Sequence, residues 1–290
     1  MKPAPFAYHR PATVDQAVGL LAELAPQDGR VLAGGQSLVP IMAFRLARPA
    51  HLIDINRVAG LDRIGVQDGR LRIGARVRHA AFHPPVEDGP LGALLATVVR
   101  QIAHYPIRLR GTFCGSLAHA DPAAEWCLVA ATLDAELVAV STRGERVLPA
   151  RDFFQSAMQT ALRLDELLAE ARLPVLPAGT RFGFAEFSRR AGDFAMAMAM
   201  AVLRIEGGVI TAPRLGIGGA EATQRRLAAV ETMLAGERPS EPLFRAAADA
   251  AAAAIDPLTD GQTDAQYRRE LVAAMVQRAL SRAAAPESSA

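Results

Sequence analysis

Two short stretches of the chain hold the residue types that could do chemistry. Residues 31–38 read Val-Leu-Ala-Gly-Gly-Gln-Ser-Leu, and residues 111–125 read Gly-Thr-Phe-Cys-Gly-Ser-Leu-Ala-His-Ala-Asp-Pro-Ala-Ala-Glu. Both place glycine beside small hydroxyl or amide side chains, just after an apolar or extended run. Glycine lets backbone N–H groups approach a ligand closely, and successive amides in a turn form an anion-binding concavity. Two such loops, about 75 residues apart, suggest a diphosphate gripped from two sides.

The identities within the loops narrow the chemistry. Ala33, Gly34, Gly35, Gln36 and Ser37 have neither the six-residue glycine spacing of a dinucleotide-binding turn nor the Gly-Lys-Ser/Thr of a triphosphate loop. What remains is phosphate held by backbone amides and the Ser37 hydroxyl, with a helix start at Leu38; an ordinary strand-to-helix turn is the plain alternative. The second stretch offers Gly111, Thr112, Gly115 and Ser116, with Arg108 and Arg110 just before it to supply charge. Glu125 follows within reach of a ribose or ribityl hydroxyl. Asp121 reads as the cap of a helix whose first residue is Pro122. His119 reads as a hydrogen-bonded structural residue. No Ser/His/Asp or Cys/His triad and no metal-ligand spacing is evident.

The surrounding pattern indicates which elements position these loops. Thr13 is a candidate N-cap for a helix over 13–25 with Val14, Ala17, Val18, Leu21 and Leu24 on one face. Val31-Leu32 and Leu52–Ile55 read as strands, and 38–46 as a helix. Asp68-Gly69 marks a hairpin between Ile64–Val66 and Leu71–Ile73. A helix is expected over 91–104, another over 122–133, and a hairpin over 136–148. Pro174–Gly179 marks a domain boundary. Beyond it, an Ala- and Met-rich helix is expected from Phe194 to Leu203, a Val-Ile-Thr strand after Gly207-Gly208, a strand at 215–219, and helices over 223–235, 241–254 and 265–284. Strands and helices interleave without regular alternation, which predicts an α+β fold with mixed sheets.

Bulk properties exclude several classes. The chain has 290 residues, 51% hydrophobic and 21% charged, with a net charge of +2 and no footprint for nucleic acid. Of its 32 basic residues only Lys2 is lysine, so lysine-based covalent chemistry is excluded. Cys114 and Cys127 are too few for an iron–sulfur cluster or a four-cysteine zinc site. Without a signal peptide or an apolar run of membrane length, the expected location is the cytoplasm.

Together the two loops resemble those of the FAD-binding medium subunit of molybdenum hydroxylases, such as carbon monoxide dehydrogenase and xanthine dehydrogenase. Ala33-Gly34-Gly35-Gln36-Ser37-Leu38 is similar to the first family motif, and Thr112–Ser116 with Glu125 to the second. Leu52–Asn56, Ile73–Ala75, Phe187–Arg190, Gly192–Ala195, Asp264–Arg268 and Arg278–Leu280 extend the resemblance from about residue 3 to 283. It departs from the family at Cys114, where glycine is usual. The lysine that some relatives carry near the flavin has no counterpart around Ala185.

The resemblance implies a two-subdomain FAD-binding fold of the PCMH/vanillyl-alcohol-oxidase type over 1–176, with subdomains of about 1–57 and 58–176. A smaller α/β C-terminal domain over 177–284 and a frayed tail at 285–290 would follow. It implies noncovalent FAD held by Ala33–Leu38, Thr112, Cys114, Gly115 and Ser116, with Glu125, Leu168 and Phe194 near the flavin. Molybdopterin and [2Fe-2S] clusters would sit on a large and a small partner subunit, in a dimer of heterotrimers. The chain would relay electrons from those clusters to an external acceptor and be inactive toward substrate alone. A stand-alone FAD-dependent oxidase or reductase is the alternative.

Overall fold

Thr13 accepts a hydrogen bond from the Gln16 N–H at 3.2 Å and starts the helix Val14–Leu24. That helix buries Ala17, Val18, Leu21 and Leu24, the face set by the 3.6-residue period. It joins two strands of a parallel three-stranded sheet, Ala7–His9 and Gly29–Leu32, which flank the central strand His51–Asp54. The computed structural model describes residues 2–261 and 263–285.

A second, antiparallel sheet follows, with strand order Ile64–Gln67, Arg70–Gly74, Leu167–Pro174, Glu136–Ser141, Gly144–Pro149. The Asp68-Gly69 hairpin is present, both residues taking positive φ (52° and 70°), as a tight two-residue turn requires. Helices Pro90–Val98, Phe113–His119 and Glu125–Thr132 accompany it. Trp126 through Thr132 are all buried, so the last of these helices is surrounded on every side. Its Trp126 ring packs on Phe82 and Phe113, with centroids 5.1 and 4.9 Å away. The helix begins at Glu125 rather than Pro122. Asp121 instead accepts from the Ala123 N–H at 2.8 Å and closes the preceding turn.

The C-terminal part is an antiparallel sheet in the order Arg181–Phe187, Ala197–Glu206, Val209–Gly218, Arg225-Arg226. Helices Ala228–Leu234, Glu241–Ala254 and Ala265–Ala284 accompany it. The expected helix over 194–203 is therefore a strand. Alanine and methionine favour helix intrinsically, but only by tenths of a kcal/mol each. Here Ala197, Ala199, Ala201 and Leu203 pack toward the C-terminal helices, while Met198, Met200 and Val202 join the core of the preceding part. A strand buried on both faces reads as an unbroken apolar run, and its period of two is hidden. The strand expected at 215–219 is the end of the single strand Val209–Gly218, and the helix expected at 223–235 shortens to Ala228–Leu234. The tail at 286–290 lies outside the described residues.

The seam between the two parts is closely packed. A Cβ on Gly216 would lie 1.9 Å from the Thr132 hydroxyl oxygen. Arg226 pairs with Asp134 at 2.5 Å, and Arg214 donates to the Leu133 carbonyl at 2.9 Å. Gln224 and the Gly219 N–H hold the Asp121 and Pro122 carbonyls at 2.6 and 2.8 Å, which anchors the turn before Glu125.

Candidate functional site

The first loop leaves the strand Gly29–Leu32 and reaches the helix Leu38–Ala43. Gly35 makes the turn at φ +71°, a conformation that L side chains rarely adopt. Gln36 folds back to donate to the Gly34 carbonyl at 3.1 Å. Ser37 occupies the N-cap position but makes no capping hydrogen bond, and it is exposed. Its hydroxyl therefore remains available to a ligand.

The second stretch is built differently. Thr112 is the N-cap of the helix Phe113–His119, its hydroxyl accepting from the Gly115 N–H at 3.1 Å. Segment 77–79 runs beside it: the Phe113 N–H donates to the Val77 carbonyl, and the His79 N–H to the Gly111 carbonyl, each at 3.0 Å. The His79 ring lies against Gly111, where a Cβ would come within 2.5 Å of it. Trp126 Nε1 donates to His79 Nδ1 at 2.9 Å, so Nδ1 is the acceptor and the proton sits on Nε2. Burial, with Arg78 and Arg108 nearby, lowers this imidazole to about 3 and keeps it neutral.

The two stretches meet backbone to backbone. A Cβ on Gly34 would stand 2.3 Å from the Arg110 carbonyl oxygen and 2.7 Å from Gly111 Cα. An added Gly115 Cβ would reach Ala33 Cβ at 3.8 Å. Glycine at 34 is thus required by the opposing loop, a reason invisible in either stretch alone.

Other expected site residues are placed differently. Cys114 is inside the helix with its thiol turned into the core, 3.4 Å from the Ile73 carbonyl, and burial pushes that thiol up. It lies outside the positive-φ residues, so the backbone there accommodates a cysteine, and only its backbone can face a ligand. The Thr112 hydroxyl is committed to its cap. Leu168 is buried in the core of the antiparallel sheet, so its side chain offers no ligand surface. Arg108 Nη1 lies 2.9 to 3.4 Å from four carbonyls, those of Val99, Arg100, Ile102 and Ala103, and so braces the chain after the helix Pro90–Val98 rather than the glycine loop. Arg110 is exposed, and Ser116 is half-buried. Phe194 is 74% exposed, on a loop whose Gly192 rests against the His104 imidazole.

Glu125 opens its helix half-buried, and burial, reinforced by Asp121, raises its carboxyl above the ordinary range. Glu186, from the strand Arg181–Phe187, is raised by burial and by the charge of Glu125. Among the described residues no donor reaches its buried Oε2. Two carboxyls near enough to interact, one with an unpartnered oxygen, suit a hydroxyl-bearing ligand. With an exposed serine hydroxyl and a glycine turn at the first loop, the residues present fit a flavin nucleotide. His79, Arg78 and Glu186 are the site-supporting residues that the spacing of motifs did not single out; Asn56 lay in the Leu52–Asn56 motif without an assigned role. A lone histidine, arginine or glutamate carries no local signature.

The family described as "FAD binding domain in molybdopterin dehydrogenase" matches residues 4–176, and "CO dehydrogenase flavoprotein C-terminal domain" matches 182–283. The 6-hydroxypseudooxynicotine dehydrogenase complex subunit alpha of Paenarthrobacter nicotinovorans is 39% identical, over 98% of this chain and 96% of its own. The nicotine 6-hydroxylase medium subunit of the same organism is 36% identical over 98% and 99%. A solved structure of carbon monoxide dehydrogenase from Hydrogenophaga pseudoflava superposes with a TM-score of 0.93 at 36% identity, covering 98% of both chains. The chain belongs to the FAD-binding medium subunits of the molybdenum hydroxylases, and it is an oxidoreductase subunit.

Proposed function

We propose that Ala33–Leu38 and the backbone of Thr112–Ser116 grip the FAD diphosphate from two sides, with Glu125 on a sugar or ribityl hydroxyl. The contact of Gly34 with Arg110–Gly111 carries this reading, because it brings a loop of the parallel sheet and a loop between two helices to one place. Bound FAD supplies two-electron redox chemistry that can be loaded one electron at a time. The chain's own residues bind the nucleotide, orient it and exclude water. Ser37 supplies a hydroxyl donor. Phe194, exposed and carried on its own loop, covers the ring and limits access to it.

Electrons come from iron–sulfur clusters on a small partner subunit, with a molybdopterin-bearing large subunit oxidising the substrate and an external acceptor receiving the electrons. The assembly is a dimer of heterotrimers in the cytoplasm. Among the described residues no helix is long and apolar enough to cross a membrane. Within the chain, 1–57 and 58–176 serve as the two FAD subdomains and 177–284 as the C-terminal domain.

The test is purification of the full chain alone and with co-expressed neighbours. Noncovalent FAD with no substrate oxidation alone, and oxidation restored with the partners, is the expected result. Substrate oxidation by the chain alone would transfer the assignment to a stand-alone flavin oxidase or reductase.

A further inference from the structure

Between the two glycine loops runs a polar connection that no ligand contact explains. Asn56 Nδ2 donates to the Ala33 carbonyl at 2.7 Å, in the first loop. Asn56 Oδ1 accepts from Arg78 Nη2 at 2.5 Å, and Arg78 Nη1 donates to the Arg110 carbonyl, at the edge of the second. The orientation of the Asn56 amide is settled by its partners: a guanidinium only donates and a carbonyl only accepts. Asn56 is itself fixed from behind. Its backbone N–H donates to Asp54 Oδ1 at 2.8 Å, and Asp54 Oδ2 accepts from the Tyr8 hydroxyl. One chain of contacts thus runs from the parallel sheet to both loops.

Only arginine can serve at position 78. Its planar fork reaches two acceptors at once, whereas a lysine presents a single point of charge. The guanidinium is half-buried; burial, then Arg76 and Arg110, disfavour its charge, and Asp54 favours it. The effect on the loops is specific. A trans peptide holds C=O and N–H antiparallel. Drawing the Ala33 carbonyl toward Asn56 therefore turns the Gly34 N–H to the opposite side of the loop.

We propose that Asn56 and Arg78 form a strap that sets the spacing and the peptide orientation of the two FAD loops before the nucleotide binds. They are positioning residues, acting through the loop backbone without touching FAD. This rests on the reading that the two loops hold the diphosphate. A preorganised site does not spend binding energy on ordering its loops.

The experiment measures the FAD dissociation constant of the full chain, by flavin fluorescence quenching, together with the melting temperature of the apo-chain. Asn56→Ala and Arg78→Ala should each raise the dissociation constant about tenfold, as for members of one hydrogen-bonded network. The double variant should be no weaker than the weaker single variant, and added guanidinium should partly restore Arg78→Ala. Arg78→Lys should resemble Arg78→Ala. Gly35→Val serves as the control for the loop itself. If it loses FAD while Asn56→Ala and Arg78→Ala bind normally, the strap is refuted and the loop reading stands. If Gly35→Val retains FAD, the loop reading fails first. Multiplying effects in the double variant would also overturn the strap, since they denote two independent contacts. Should Arg78→Ala fail to fold, Asn56→Ala and Asn56→Asp decide the matter; the latter keeps the acceptor for Arg78 but sets an oxygen against the Ala33 carbonyl.

Discussion

The two glycine loops look alike on paper and are built on opposite principles. The second is satisfied from within: Thr112 caps its helix, segment 77–79 bonds its backbone, and His79, Trp126 and Phe113 wall it from below. The first has an uncapped helix start, an exposed serine and one strained-type glycine, and its carbonyl is held from outside by Asn56. A rigid wall facing an adaptable hand is a sensible division for gripping a nucleotide. In the proposed grip the wall would fix position and the hand would supply unspent hydrogen bonds.

The two loops depend on each other most strongly where Gly34 meets Arg110 and Gly111. Gly34→Val should destabilise the chain by about 3 kcal/mol and abolish FAD retention, because overpacking must push apart two backbones rather than flexible side chains. Thermal melting and flavin content check this; a variant melting like the parent would mean the loops do not touch. Next in size is Gly111→Ala, which drives a methyl into the His79 ring. A loss of about 2 kcal/mol is expected, partly relieved by adding His79→Ala, since the clash is with that one ring.

The carboxyls at the seam give a pH signature. Glu125 and Glu186 are both raised, first by burial, so the fold favours their protonated forms. Their contribution is present below the ordinary glutamate pKa and is lost as the pH rises through their elevated values. The melting temperature of the apo-chain should therefore fall between about pH 5 and pH 9, and Glu186→Gln should flatten that slope. An unchanged slope would remove Glu186 from the pair. The smallest effects sharpen the contrast between the loops. Thr112→Ala should cost about 1 kcal/mol as a lost cap. Ser37→Ala should stay within about 0.5 kcal/mol of the parent in stability while weakening FAD binding. Equal stability losses at the two hydroxyls would erase the distinction drawn between the loops.

Local chemistry was legible where a residue's role is local. Thr13 capped the helix that its spacing indicated, Asp68-Gly69 made its hairpin, and the resemblance carried by the loops identified the FAD-binding family. The strand Ala197–Glu206 was not legible, because burial on both faces removes the polar half of the alternation and leaves residues that favour helix. The burial of the Cys114 and Leu168 side chains was hidden for a related reason: a motif gives a residue's position along the chain, and the direction of a side chain depends on the element it joins.

The sequence by itself determined the caps, the tight turns and the glycine turn at Gly35, since these depend on φ preferences and on neighbours within about four residues. Only the tertiary structure decided that Gly34 faces Arg110 and that Asn56 and Arg78 span the gap between loops. It alone decided that Glu186, on a strand of the C-terminal sheet, comes near the helix start at Glu125. Each of these joins residues far apart in the chain, and such contacts arise only when separate sheets pack around shared cores.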